Sequence, residues 1–586
     1  MRRLFALLLV SSFLPLAIAA EPKPAEPKVK LVVLVVFDQL RADFIDKWQP
    51  HFGDGGFKRL QTRGAWFTNC HYPYAITTTG PGHASMLTGA SPSKTGIVNN
   101  EWYDRATAAE AYCAGTDRYD LVPPSVPEKI EPGDERKAPI REKAKAIGTP
   151  ERLLSPTLAD ELKASTKGAG KVFGLSLKDR SGILPSGRKP DGVYWFDGRF
   201  VTSTYYRDTP HKWADEFNKS KKADAWFGVD WTKFKPDLDY EKLSGPDDGQ
   251  GESKGVIQGV KFPHPTTGGL KTLGKKYYES LANSPFGNEL LLDFAKVCID
   301  AEKLGQHDAP DLLTVSFSSN DLIGHTWGPD SQEVLDTTLR SDAIVESLLL
   351  YLDEKVGQGK YAVMLTADHG ICPLPEFAAK RGLDARRVSA LALIGGGEKF
   401  LREKYGEIEE PKDDADPKTK SPTRYLEAVP APYIYLNHRL LAAKNLKPDD
   451  VAAALAAYVR EQDGVLRVFT HADLNPRNVA KNDAIAQRVL RAFHPERSGD
   501  LYVVLKPYHL ISSLALGDNF ATGTTHGSPH EYDTHVPLLV FGPGIPGGKR
   551  DEAVTPLHSA AIGAYFLGTK RPKDAEYGLP KTMIEK

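Results

Sequence analysis

Three carboxylates and three imidazoles of this 586-residue chain lie at turns that follow or precede apolar runs. Open α/β sheets bind ligands just past the carboxyl ends of their strands, so chemistry is expected at these positions. Mixed carboxylate and imidazole ligands suit Zn²⁺, with Mn²⁺ or Fe as alternatives, and six suffice for two ions about 3.5–4 Å apart. Each residue alone would be interpreted as a turn-capping Asp or a packed His, but their coincidence favours a metal site. The six candidates are Asp38, Asp321, His325, Asp368, His369 and His526.

The spacing within this set is informative. Asp321 and His325 are four residues apart, so a helical turn would place both side chains on one face. The third histidine is open between His526, His530 and His535, and the His-Gly pair at His526 favours that residue.

A threonine-rich turn precedes one helical stretch of the chain. The segment TTTGPGHASMLTG runs from Thr77 to Gly89, and Pro81 suits the start of a helix. The hydroxyl of Thr79 would face the N-terminus of that helix, where free N–H groups and the helix dipole favour an anion. A metal ion could lower the pKa of this hydroxyl and make it a nucleophile. An ordinary N-cap threonine is the alternative interpretation, and Thr77 and Thr78 stay open as candidates.

Short apolar runs must position these residues. They are continuous and rich in β-branched residues, which is typical of strands buried on both faces of a parallel sheet. Helical patterns lie between them, for example at Gly287–Leu304 and Ser331–Lys355. The sequence therefore predicts an α/β fold with a mostly parallel central sheet between helices. The runs are Lys30–Phe37, Val172–Leu177, Asp311–Phe317, Tyr361–Thr366 and Pro537–Phe541.

The first twenty residues have the composition of a cleavable signal peptide. Arg2 and Arg3 precede the apolar stretch Leu4–Leu16, which is too short and too interrupted for a membrane span, and a small-residue cleavage signal follows. We therefore predict that residues 1–20 are removed and that the protein is periplasmic or secreted, without a stable membrane anchor.

Residues 21–586 are predicted to form one catalytic domain, with insertions at about 105–170 and 200–285 and a small α+β cap at about 385–510.

The charge balance limits the classes of binding partner, and the cysteine content limits the disulfides that the chain can form. Lys and Arg total 75 against 76 for Asp and Glu, and this balance argues against nucleic acid as a dedicated partner and against a broad anionic-membrane surface. The four cysteines lack any C-x-x-C spacing. Because export permits disulfides, Cys70–Cys113 and Cys298–Cys372 are the pairings to test, with buried free thiols as the alternative.

Six motifs are spread along the chain: FDQLR around Asp38, T-x-P-G-H at Thr79–His83, GIVNNEWYD at Gly96–Asp104, NDLIGH at Asn320–His325, ADHG at Ala367–Gly370 and HGSPHEYDTHVP at His526–Pro537. Together they resemble the alkaline phosphatase superfamily, and the nearest branch is the nucleotide pyrophosphatase/phosphodiesterase-like group with a threonine nucleophile. Within that branch, SLKDRSGILP at Ser176–Pro185, followed by GVYWFD, is similar to the exported, phosphate-irrepressible alkaline phosphatases. The resemblance covers nearly the whole mature chain and implies an alkaline-phosphatase-like sandwich.

The resemblance implies a role for each candidate residue. One zinc ion would be held by Asp38, Asp368 and His369 and would also bind the oxygen of Thr79. The second zinc ion would be held by the remaining three candidates, which are Asp321, His325 and His526.

The resemblance also implies a phosphoryl-binding group around these ions. The side-chain amide of Asn100 would donate to a phosphoryl oxygen, with the backbone N–H of Gly80 beside it. Lys178 and Arg180, two residues apart at a predicted strand end and so able to point to the same side, would contact the remaining phosphoryl oxygens. A monoester dianion has three non-bridging oxygens and a diester has two, so this pair of cations favours a monoester.

The implied activity is that of a zinc-dependent alkaline phosphatase, which hydrolyses small-molecule phosphate monoesters through a covalent phosphothreonine and scavenges phosphate outside the cytoplasm. The main alternative is a phosphodiesterase or nucleotide pyrophosphatase on the same two-metal scaffold. A sulfatase is disfavoured because no C-x-P-x-R or S-x-P-x-R segment is present. A metal-independent binding protein on an inactive scaffold is disfavoured because every proposed ligand is retained.

Overall fold

The computed structural model describes residues 26–124, 147–408, 424–512 and 523–584 of the chain. These ranges contain twenty strands and nineteen α-helices. The strands are Leu31–Phe37 (β1), Ala65–Cys70 (β2), Glu101–Asp104 (β3), Ala109–Tyr112 (β4), Gly115–Thr116 (β5), Leu121–Val122 (β6), Ile147–Gly148 (β7), Val172–Ser176 (β8), Gly192–Phe196 (β9), Phe200–Ser203 (β10), Asp311–Phe317 (β11), Tyr361–Thr366 (β12), Arg386–Ser389 (β13), Leu426–Ala428 (β14), Tyr433–Leu436 (β15), Val465–Thr470 (β16), Leu501–Leu505 (β17), His509–Ser512 (β18), Leu538–Phe541 (β19) and Gly548–Val554 (β20). The helices are Ala42–Lys47 (α1), Phe57–Arg63 (α2), Thr79–Thr88 (α3), Pro92–Thr95 (α4), Leu158–Ser165 (α5), Asp179–Ile183 (α6), Lys212–Lys219 (α7), Tyr240–Ser244 (α8), Lys275–Ala282 (α9), Pro285–Glu302 (α10), Ser319–Trp327 (α11), Gln332–Lys355 (α12), Pro375–Lys380 (α13), Gly396–Tyr405 (α14), His438–Ala443 (α15), Pro448–Arg460 (α16), Ala484–Ala492 (α17), Glu531–Thr534 (α18) and Ser559–Leu567 (α19).

Ten of the strands form one sheet, in the order β20-β2-β19-β12-β1-β11-β8-β9-β10-β6. The five central strands from β12 to β9 are parallel, whereas β19, β10 and β6 run antiparallel to their neighbours. Helix α19 packs against β1 and β12, and helix α10 packs against β8 and β11. The prediction of an α/β fold with a mostly parallel central sheet is confirmed.

The register of the three central strands brings their ends to one level. Val36 of β1 pairs with Ser316 of β11 and with Thr366 of β12. Every residue of these strands is buried, as their continuous apolar runs predict. The polar residues that follow the three strands therefore meet at the same edge of the sheet.

A second, four-stranded sheet lies within the region that the sequence assigns to a cap. Its order is β14-β15-β17-β16, and all of its pairs are antiparallel. Apolar residues of this sheet and of α14 and α16 form a hydrophobic cluster separate from the main core. The limits proposed for the cap and for the other insertions stay predictions.

All four cysteines are buried free thiols, so the pairings Cys70–Cys113 and Cys298–Cys372 are both wrong. Cys298 lies inside α10 near Glu302, whereas Cys372 lies in the segment after β12 near Asp533. These thiols therefore have different neighbours. The alternative interpretation, buried free thiols, is the one that the structure shows.

Residues 1–20, the proposed signal peptide, lie outside the described residues. Among the helices that the structure does describe, none combines the length and the apolar character that crossing a membrane requires.

Candidate active site

The six candidate ligands meet at the carboxyl edge of the central strands, in two groups of three. Within each group the ligand atoms lie within 4.8 Å of one another. Asp38 directly follows β1, and its backbone N–H donates to the carbonyl of Phe317 in the neighbouring strand. Helix α11 begins directly after β11, and its four-residue spacing puts Asp321 and His325 on one face. The groups are Asp38, Asp368 and His369, and Asp321, His325 and His526.

Of the three candidate histidines in the last motif, the structure brings His526 to the second group. His526 Nε2 lies 3.4 Å from Asp321 Oδ1. In contrast, His530 Nε2 lies 2.9 Å from the carbonyl of Leu505, and His535 Nε2 lies 2.8 Å from a carbonyl of β2. These two histidines serve local packing.

Three imidazoles at the site are oriented by backbone carbonyls. The Nδ1 atoms of His325, His369 and His526 lie 2.8, 2.9 and 2.7 Å from the carbonyl oxygens of Thr524, Gly370 and Thr77. A carbonyl accepts only, so each Nδ1 carries the proton, and in the neutral ring Nε2 carries the lone pair. This arrangement is the usual one for a histidine that binds a metal through Nε2.

The electrostatics of the site call for a cation. Burial and the charge of His369 lower the pKa of His526 to about 3, so this ring is neutral and its Nε2 lone pair faces Asp321 Oδ1. Burial and the charge of Asp368 raise the pKa of Asp38 to about 7. Asp38 Oδ1 and Asp368 Oδ2 are buried and have no hydrogen-bond partner among the described residues. Although burial lowers the pKa of His369, the charge of Asp368 raises it to about 9, so positive charge is favoured between these carboxylates and the donor set fits bound metal ions.

Among three consecutive threonine hydroxyls, that of Thr79 lies at the first ligand group. Thr79 opens α3, is 1% exposed, and has its Oγ1 3.4 Å from His369 Nε2. Thr77 Oγ1 donates to the carbonyl of Ser528 at 2.9 Å, and Thr78 Oγ1 donates to a neighbouring asparagine at 3.0 Å. Thr78 is the N-cap residue of α3, so Thr79 is not an N-cap.

Asn100 and Gly80 contact each other beside the nucleophile candidate. The backbone N–H of Gly80 donates to Asn100 Oδ1 at 2.7 Å. In this conformation that N–H is engaged, and the side-chain NH₂ of Asn100 is the donor left for a ligand. A Cβ atom at position 80 would lie 3.0 Å from Cys113 Sγ, so a side chain there would be crowded.

Lys178 lies between the two ligand groups. Its Nζ is 2.8 Å from Asp38 Oδ2 and 2.5 Å from Asp321 Oδ2. Although burial lowers the pKa of Lys178, the two carboxylates raise it above its usual value, and the ammonium stays charged. The Lys178 ammonium therefore bridges one carboxylate of each ligand group.

Arg180 lies in the short helix α6 rather than at a strand end. Its Nη1 is 3.4 Å from the hydroxyl of Tyr112, which donates to Asp179 Oδ1 at 2.5 Å. Arg180 Nε is buried without a hydrogen-bond partner in the part of the chain that the structure describes. Most donors of the guanidinium are therefore available to a ligand.

Two supporting residues were not assigned roles from the sequence. His83 Nδ1 donates to the carbonyl of Thr79 at 3.0 Å, while its Nε2 lies 2.8 Å from Ser316 Oγ. Asn99 Oδ1 accepts from Thr78 Oγ1 and from the backbone N–H of Asn100, and its Nδ2 donates to a carbonyl at position 431 of the cap region. Both residues lie inside motifs quoted above, T-x-P-G-H and GIVNNEWYD, so their signal was present.

Comparison with known proteins assigns the family. The model of the type I phosphodiesterase / nucleotide pyrophosphatase family matches residues 32–530. The chain belongs to this family. The resemblance to the alkaline phosphatase superfamily is confirmed by relatives that match over almost their whole length.

Three curated relatives are similar over most of the chain. Alkaline phosphatase PafA of Elizabethkingia meningoseptica is 32% identical, over 95% of this chain and 94% of that protein. A protein named calcium-transporting ATPase, from Myroides odoratus, is 32% identical over 92% and 91%. Alkaline phosphatase PhoV of Synechococcus elongatus is 31% identical over 89% and 87%. The crystal structure of PafA matches with a TM-score of 0.82 and 30% identity, covering 95% of this chain and 99% of that chain.

Proposed function

We propose that this chain is a zinc-dependent alkaline phosphatase that hydrolyses phosphate monoesters through a phosphothreonine at Thr79. Its similarity to PafA and PhoV, both named alkaline phosphatases, supports the reaction class. The observation that carries the proposal is the position of the Thr79 hydroxyl, 3.4 Å from His369 Nε2 at the edge of a buried ligand group.

The chain's own residues would hold two zinc ions. Asp38, Asp368 and His369 would hold one ion, and three carboxylate-and-imidazole ligands suit zinc. The second group has the same chemistry, with Asp321 as its only carboxylate. When bound, zinc lowers the pKa of a coordinated hydroxyl or water and neutralises charge that develops on the oxygens around phosphorus.

Thr79 would carry the covalent step. Its hydroxyl would lose a proton to solvent and its oxygen would attack phosphorus in line, while the bond from phosphorus to the leaving oxygen breaks and that oxygen takes up a proton to depart as the alcohol. Water then attacks the phosphothreonine, which releases inorganic phosphate and restores the hydroxyl. The two inversions give net retention at phosphorus. The N-terminus of α3, the ten-residue helix that Thr79 opens, favours the negative phosphoryl group.

Lys178 and Arg180 would select monoesters over diesters. A monoester dianion carries a charged oxygen that a diester replaces with an organic group, and both cations stabilise that additional charge. Lys178 lies between the ligand groups, and Arg180 keeps most of its donors available. Asn100 would donate its side-chain NH₂ to another phosphoryl oxygen, because the backbone N–H of Gly80 fixes its carbonyl end.

The proposal includes the setting of the reaction. Residues 1–20 have the pattern of a signal peptide, which supports a periplasmic or secreted enzyme that scavenges phosphate from small-molecule esters. Residues 21–586 would form one catalytic domain, with insertions at about 105–170 and 200–285 and the cap at about 385–510.

The second candidate is a phosphodiesterase or nucleotide pyrophosphatase, which the description of the matching family favours. A matched pair of phosphate esters with the same leaving group separates the two candidates. We expect kcat/KM to be higher for the monoester, about two zinc ions per chain by elemental analysis, and loss of activity on chelation that zinc restores. A higher kcat/KM for the diester would replace the first candidate with the second, and a fully active metal-free protein would refute both.

A further inference from the structure

Gln39, the residue after Asp38, has an unusual backbone conformation. Its φ is +73°, in the left-handed region that residues other than glycine rarely occupy, and it is 3% exposed. A buried residue keeps such a conformation only when its contacts compensate for the strain, and such residues are concentrated at functional sites.

The contacts of Gln39 join the two ligand groups. Its backbone N–H donates to Asp368 Oδ1 at 3.1 Å. Its side-chain Nε2 donates to Asp321 Oδ1 at 2.7 Å and lies 3.3 Å from the carbonyl of the same residue. One residue therefore holds a carboxylate from each group, the first through its backbone and the second through its side chain.

The helix that faces Gln39 has a matching feature. Gly324 lies within α11, where glycine is unfavourable compared with most residues. A Cβ atom at this position would lie 1.7 Å from Gln39 Oε1, so any other residue would displace the amide. The positive φ of Gln39 and the presence of Gly324 within a helix are each unfavourable locally, and both allow the same contact.

The orientation of the carboxylates follows from these bonds. Because the Gln39 N–H occupies Asp368 Oδ1, Asp368 Oδ2 is the oxygen left 3.2 Å from His369 Nε2. The amide NH₂ of Gln39 donates to Asp321 Oδ1 while Lys178 Nζ lies 2.5 Å from Oδ2, so the two donors together fix the rotation of the Asp321 carboxylate. A neutral donor fixes the orientation of a carboxylate ligand without cancelling its negative charge. Hydrogen-bond partners of metal ligands orient them in this way.

We infer that Gln39 is a positioning residue that fixes the Asp321 and Asp368 carboxylates relative to each other and sets the zinc affinity of the Asp321 group. The inference rests on the proposed function, because it concerns the two zinc sites named there. It assigns Gln39 no contact with substrate. Its side chain acts on one site only, which distinguishes it from a residue needed for the fold as a whole.

The test compares zinc affinities of the full-length protein in equilibrium competition with a chromophoric chelator. Gln39→Met keeps the length of the side chain and removes its donor, while the backbone N–H to Asp368 remains. Gln39→Gly also removes the donor but adopts a positive φ without strain. Gln61→Ala is the control, since Gln61 is equally buried, at 3% exposed, and contacts Gln49 rather than a ligand.

We expect wild type to bind two zinc ions, and both Gln39 variants to bind one of them about 10- to 100-fold more weakly while the other keeps its affinity. Gln61→Ala should match wild type. If wild type binds two ions and both Gln39 variants bind them with unchanged affinity, the inference is overturned and the proposed function stands. Equal weakening of both ions would also overturn it, since the side chain contacts one group only. Failure of wild type to bind zinc would refute the proposed function itself.

Discussion

Replacing Arg180 with alanine tests whether this guanidinium recognises the charge that a monoester has and a diester lacks. Among the described residues, the side chain of Arg180 has one long hydrogen bond, 3.4 Å to the Tyr112 hydroxyl, and we expect Tyr112 to keep its shorter bond to Asp179 when that side chain is removed. The substitution therefore removes only one weak side-chain hydrogen bond, and we expect the melting temperature to change little.

The expected kinetic effect follows from the donors that the structure leaves available. A hydrogen bond to a charged group contributes about 1.5–3 kcal/mol, which corresponds to about 10- to 150-fold in rate when it is made in the transition state. Arg180→Ala should reduce kcat/KM for a monoester by at least one such factor and should reduce it less for the diester. Arg180→Lys should recover only part of the loss, because lysine lacks the planar fork.

The assay is kcat/KM on a monoester and a diester with the same leaving group, for wild type and the two Arg180 variants. Arg188→Ala is the matched control, because Arg188 follows in the same segment and donates to two backbone carbonyls, of Leu153 and Leu154, rather than to any residue of the site. Equal losses on both esters would show that Arg180 acts on the site in general. An unchanged monoester rate would remove it from the phosphoryl-binding group.

Two further predictions concern the nucleophile and the stability of the fold. Thr79→Ala should lower kcat/KM by several orders of magnitude while the zinc content stays at the wild-type value, and Thr79→Ser should keep measurable activity. A phosphoenzyme that maps to Thr77 or Thr78 would contradict this assignment. Burial and the neighbouring His535 lower the pKa of His71 to about 4, below its ordinary value of 6.5, so the unfolded chain binds more protons between these values. Stability from this residue is present above pH 6.5 and is lost as the pH falls towards 4, and His71→Gln should flatten that part of the pH profile of urea unfolding. An unchanged slope would contradict the prediction.

The two ligand groups could be predicted from the sequence because the ends of buried strands can be recognised in it. The runs before Asp38 and Asp368 are continuous and apolar, so both are predicted to be buried strands, and parallel strands bring their carboxyl ends to one edge. The predicted helices Gly287–Leu304 and Ser331–Lys355 differ by at most two residues at either end from α10 and α12. The direction of a strand was harder to predict. The apolar run of β19 is of the same kind as those of the parallel strands, yet β19 is antiparallel to β12.

The contacts that orient the candidate ligands could not be predicted from the sequence. They join residues that are far apart in the chain, and they depend on the backbone conformation. Nothing in the residue type of Gln39 indicates a positive φ, and its role depends on Gly324 in a different element. Arg180 was expected at a strand end, but α6 begins at Asp179 and carries it towards Tyr112. Cysteine pairing failed for a related reason, because sequence separation says nothing about which thiols share a neighbourhood.

The order in which the ligands occur along the chain bears on how the site is made during translation. His526, which also contacts the nucleophile turn through the carbonyl of Thr77, emerges from the ribosome long after the first ligand, Asp38. At a synthesis rate of about 5–20 residues per second, the interval between them is on the order of half a minute to a minute and a half. From the emergence of Asp321 and His325 until His526 follows, the nascent chain carries the second ligand group without its third member, and its threonine turn lacks the contact with His526. Phosphatase activity in a cell extract would therefore come only from chains that have been synthesised past His526. A ribosome that stalls before this residue would leave a product without a complete second site.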